Sequence, residues 1–288
     1  MHPRASFALA LLLCCAAQLA AQQQMPAESA QQLVRDVIYN ELHDRECDSF
    51  WKYRSVRITS SQNIVREQVE TAKGPIYRVM EDHGSALDAG QRRQEEERLE
   101  DLIQSPTAME RIERAHVLDE DRLQRVMEML PDAFLFRYAG PPAGDNITIS
   151  FRPDPAFQPA TYEGRIVHAL GGTLTVNWRL KRMVDMDGHV LHRVNFGYGI
   201  LGYLKSGGIF EIHRVQVSPN HWKTSLVDVH VQGKVLLFAN IDKEQRESRS
   251  GFRPVPHDIS LRQAKALLDQ TADEDQTALQ AALTQGSR

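Results

Sequence analysis

The pattern of apolar and polar positions changes period several times along the chain. Over 29–45, Leu33, Val34, Val37, Ile38 and Leu42 recur at spacings of three and four, which predicts an amphipathic helix. The next stretches, "SFWKYRSVRITS" (49–60), "NIVREQVETA" (63–72) and "PIYRVMED" (75–82), are rich in β-branched and aromatic residues. Separated by Ser-Gln and by Lys73-Gly74, they predict a strand meander with short turns. Residues 88–130 return to helical spacing, with Leu99, Leu102, Ile112, Leu123, Val126 and Leu130 on the stripe and Pro106 dividing two helices. Their Glu and Arg are interleaved, as on a solvated helix face.

Beyond Pro131 the pattern predicts strands almost throughout, from "AFLFRYAG" and "NITISFRP" to "QRESRSGFRPV". "TYEGRIVHAL" reads as one of these strands, Gly171-Gly172 as a break, "TLTVNWRLKRMVDM" as a continuous strand and Asp187-Gly188 as a hairpin turn. Ser260-x-x-Gln263 predicts a capping box opening the helix "LRQAKALLDQ", with 273–288 expected to fray. Ten or more sequential strands with helices at both ends predict a mainly β fold with α. That fold is a single domain over 22–288, a curved antiparallel half-barrel covered by helices with a helical insertion at about 88–130.

The N-terminus changes where this fold is expected to work. Arg4, an apolar run from Phe7 to Leu13 and small residues up to Ala21 have the order of a secretory signal peptide over 1–21. Leu13 before Cys14, and Cys14 before Cys15, do not fit a lipidation site, so the mature chain is expected to be periplasmic or secreted. No later run is long and apolar enough to predict a transmembrane segment. A net charge of −4 gives no basic footprint for nucleic acid. Of the 3 cysteines only Cys47 follows the leader, so no internal disulfide is expected.

Candidate chemistry is sparse. Gly197-x-Gly199-x-x-Gly202 has dinucleotide-loop spacing, but Gly207-Gly208 follows where a helix should open, and the next segment reads as strand. The glycines are therefore expected to serve a turn, and no cofactor is predicted. His43 and Cys47 lie four apart, yet Asp44, Glu46 and Asp48 disfavour a thiolate. His168, His189, His192, His213, His221 and His230 fall in the sheet region without H-x-H or H-E-x-x-H spacing, so no metal site is predicted. There is no G-x-S-x-G elbow, and no catalytic residue is assigned.

Four segments carry a resemblance. "MLPDAFLFRYAG", "FRPDPAFQP", "FGYGILGYLKSGGIFEI" and "GFRPVP", in this order, resemble an uncharacterised family of exported bacterial proteins. The fold expected of that family is similar to LolA and LolB, the periplasmic lipoprotein carriers. Asp154 and Tyr198 stand where the family pattern has Asn and Gly. The resemblance implies an unclosed, curved antiparallel barrel with helices plugging an apolar cavity. It makes a lipid, acyl chain or lipoprotein the expected ligand; the charged helices, read by themselves, offer a docking surface for an envelope protein partner. Leu174, Val176, Trp178, Phe196, Ile212, Val227 and Val229 are expected to line the cleft, because alternate strand residues share a face. The alternatives are a non-catalytic envelope scaffold with a filled barrel and, third, a metal-dependent hydrolase.

Overall fold

A computed structural model describes residues 25–43, 50–196, 202–235 and 243–286. The proposed signal peptide, Cys47, Gly197 and Gly199 lie outside the described residues. The chain opens with helix α1 (Ala30–His43), followed by strands β1 (Phe50–Thr59), β2 (Asn63–Val69), β3 (Ile76–Asp82) and the short β4 (Ser85–Ala86). Helices α2 (Ala89–Gln104) and α3 (Pro106–Ala133) lead to β5 (Phe134–Tyr138) and β6 (Asn146–Pro153). After α4 (Tyr162–Val167) come β7 (Leu170–Asn177), β8 (Arg182–Val190), β9 (Val194–Phe196) and β10 (Gly202–Leu204). β11 (Ile209–Ser218), β12 (His221–Val231), β13 (Gly233–Val235), β14 (Lys243–Val255) and α5 (Leu261–Gly286) complete it.

Eleven strands form one open antiparallel sheet in the order β4-β3-β2-β1-β14-β12-β11-β8-β7-β6-β5. The sheet does not close on itself, and β13-β10-β9 form a small second sheet. β4 and β5 are the two edges of the large sheet, and α2 with α3 connects one edge to the other. At 1.5 Å per residue α3 is about 42 Å long. Its N-terminal Met109 joins the cluster of Val69, Ile76, Leu99, Ala264 and Leu268 under α5. Its C-terminal Val126, Met127 and Leu130 pack on the cluster under α1. The segment at 89–133 is thus helical, as its spacing predicts, and it spans the fold.

The two faces of the sheet are covered at opposite ends. Ser29 caps α1 by accepting from the Gln32 amide at 3.1 Å. The stripe Leu33, Val34, Val37 and Ile38 then packs on Ile147, Ile149, Phe151, Leu174 and Val176. Each such buried side chain contributes about 1.5–3 kcal/mol. α5 covers β2 and β3 on the other face, reaching Lys52 through Thr271 and Arg78 through Asp269. Its first turn carries the expected capping box: Ser260 N donates to Gln263 Oε1 at 2.9 Å and Gln263 N to Ser260 Oγ at 3.3 Å. The helix continues past Asp273 to Gly286.

Three local expectations are corrected. "TYEGRIVHAL" is not a strand: Thr161 Oγ1 accepts from Gly164 N at 3.0 Å and starts α4. "TLTVNWRLKRMVDM" is two strands, not one. The chain turns at 178–181, where Lys181 has φ +52° and is tied to α1 by ion pairs with Glu28 and Asp36. Gly171-Gly172 and Asp187-Gly188 lie inside β7 and β8, where Gly172 faces Gly188 across the ladder. These glycines serve close strand approach, and the Phe210 ring lies over Gly188.

Candidate functional site

Cross-strand pairing determines which side chains share the α1 face. Ile149 pairs with Leu174, Leu174 with Met186, Met186 with Ile212, and Ile212 with Val227. The row continues from Val227 to Glu247 and from Glu247 to Arg57. It therefore begins apolar on β6 and ends charged on β1. Of the residues expected to line a cleft, Leu174 and Val176 are buried in the core beneath α1. Ile212, Val227 and Val229 are half-buried on the same face, beyond the strands that α1 packs upon. Trp178 sits in the β7–β8 turn, half-buried against the cluster that holds Leu174 and Val176, and its Nε1 donates to Gly144 O at 3.4 Å. Phe196 is in a separate cluster with Ala169, Val190, Val194 and Leu204.

The charged end of the face was not expected. Arg66 and Arg249 flank Ser55 on neighbouring strands, and Tyr53 pairs with Gln68 in the next position. Ser55 is fully buried, Arg66 is 8% exposed and Glu247 is 6% exposed. Arg249 Nε donates to Glu247 Oε1 at 2.9 Å, and Arg66 lies 3.7 Å from the other carboxylate oxygen. Burial raises the Tyr53 hydroxyl to about 12, against the opposing pull of Arg249. The Ser55 hydroxyl and the Nε groups of Arg57 and Arg66 are buried without a hydrogen-bond partner. Native structures keep few such groups, so each requires an explanation.

Glu41, at the end of α1, ties the helix to β8 and β11. One carboxylate oxygen accepts from Met183 N at 3.0 Å, and the other lies against Arg214, with Arg182 3.9 Å away. Burial draws the Arg214 guanidinium down to about 10. No periodic signal could have found these groups. β14, "KEQRESRSGFRPV", is polar on both faces, so alternation does not say which side points inward.

The sheet also carries an open trough of about 520 Å³ lined by Asp187, His189, Ile209, Glu211 and Asp228, with Gly172, Gly188 and Phe210. Beside it His213 Nδ1 meets Asp185 and its Nε2 meets Glu211. His189 on β8 and His230 on β12 both pair with Ile209 of β11, which lies between them, whereas His168 bonds Asp154 O and the His221 ring lies tilted beside Trp51. Among the described residues no group of three or more His, Cys, Asp or Glu is placed to hold a metal ion. The hydrogen bond to Asp185, and then that to Glu211, raises the His213 pKa above its ordinary value near 6.5. Its stabilisation is therefore complete below about 6.5 and lost as the pH rises through the folded-state value. Thermal unfolding measured from about pH 6 to pH 9 is expected to show a falling midpoint, and His213→Gln to flatten that slope.

Gly202, the last glycine of the dinucleotide-like spacing, opens β10 with φ +138°, and β10 pairs antiparallel with β9. The next element is strand β11, so the helix needed to receive a pyrophosphate is not there. No helix among the described residues is long and apolar enough to cross a membrane. Comparison of the chain with protein-family models, with curated proteins and with solved structures finds no match.

Proposed function

We propose that the protein is an exported carrier of the cell envelope, with a LolA-like half-barrel that binds an apolar ligand such as an acyl chain. The observation that supports this reading is the apolar row of the α1 face. Met186, Ile212, Val227, Phe210 and Val229 adjoin one another across three strands and remain half-buried, although α1 seals the neighbouring part of the same face. Unsealed apolar area beside a packed core is what a chain-binding groove requires, at about 0.8 kcal/mol for each buried CH₂. In this reading the helices over 89–133 are an insertion that frames the groove, and function rests on shape and apolar surface.

A fluorescent acyl-chain probe titrated into the mature protein tests it. Saturable binding is expected, and Ile212→Gln should weaken it about tenfold while the thermal midpoint moves little, since Ile212 is only half-buried. A cooperatively folded wild type that binds no lipid would reject the carrier and leave the envelope scaffold as the reading.

A further inference from the structure

We infer that the charged end of the α1 face is a subsite for the phosphate head group of an amphipathic lipid, whose acyl chain lies along Ile212 and Val227. The inference rests on the carrier reading and names its ligand class. Three features carry it.

The first is continuity. Val227 pairs directly with Glu247, and Glu247 with Arg57, so the apolar row ends where the guanidiniums begin. The second is charge. Arg57, Arg66 and Arg249 share this face with one carboxylate in contact, that of Glu247. The next carboxylate, Glu70, is held by Lys223 at 2.9 Å. Excess guanidinium is costly in a buried site unless an anion joins it. The third is the unmet donors. The Ser55 hydroxyl and the Nε groups of Arg57 and Arg66 are shut from water without a hydrogen-bond partner, and Ser55 and Arg66 are more than nine-tenths buried. Guanidinium forks and a hydroxyl match the several acceptor oxygens of a phosphate, whereas a single carboxylate would use about one fork.

Calorimetric titration of the mature protein with short-chain phosphatidic acid, diacylglycerol of the same chains, and the matching fatty acid separates the possibilities. Phosphatidic acid is expected to bind about tenfold or more tightly than diacylglycerol, with an affinity that falls as salt is added. Arg57→Gln, at a half-exposed position, should bring phosphatidic acid close to diacylglycerol and leave diacylglycerol unchanged. Ser55→Ala should do the same to a smaller extent, and thermal melts of both variants confirm that they fold. Equal affinities for phosphatidic acid and diacylglycerol overturn the subsite and leave the carrier standing. A fatty acid that binds as tightly as phosphatidic acid overturns the phosphate assignment. Failure of all three lipids to bind overturns the carrier reading itself.

Discussion

Gly172→Ala is expected to lower the unfolding free energy by about 3 kcal/mol or more, among the larger effects available to a single substitution. A Cβ at this position would overlap the carbonyl oxygen of Asp187 and lie 2.6 Å from the Gly188 Cα. Both obstacles are backbone of the paired strand, so no side-chain rotation relieves them. The strands would have to separate, and the ladder that holds Leu174 against Ile149 and Met186 would loosen with them. Gly140→Ala is the control, since a Cβ there meets nothing within 4 Å. Urea unfolding of the two variants should show a large loss for the first and almost none for the second. Equal behaviour would mean that β7 and β8 are not paired in this register.

Glu41→Leu should cost about 3–5 kcal/mol, because it leaves Arg214 buried with its nearest counter-charge removed. The loss exceeds the worth of the pair itself, since most of it is the penalty of a guanidinium held away from water. Glu41→Leu combined with Arg214→Met is therefore expected to regain most of the stability in the same urea experiment. If the double variant is as unstable as the single one, Glu41 acts mainly through its bond to the Met183 amide.

The sequence was legible wherever one face of an element is apolar and the other polar. α1, the helical character of 89–133, the capping box at Ser260 and the meander β1–β3 can all be read from period and turn residues. It was least legible where glycine is used for contact. Gly172 and Gly188 look like turn residues, yet they lie in mid-strand because their partner strand and the Phe210 ring approach too closely for a side chain. The turn between β7 and β8 is instead made by Trp178–Lys181, with no glycine to mark it. The candidate site divided along the same line. Alternation placed Ile212, Val227 and Val229 on one face, whereas Ser55, Arg57, Arg66 and Glu247 belong to strands whose polar residues occur on both faces. Only the register shows which of them point inward.

The position of β14 also constrains the order of folding. It lies between β1 and β12, so the strand nearest the C-terminus joins the two halves of the large sheet. In a chain that is synthesised or threaded from its N-terminus, β1 has a free long edge until some two hundred residues later β14 arrives. The N-terminal strands therefore cannot settle early into a finished unit, and a chain cut short before residue 243 leaves two sheets with exposed inner edges. The large sheet is continuous only once β14 is in place between β1 and β12.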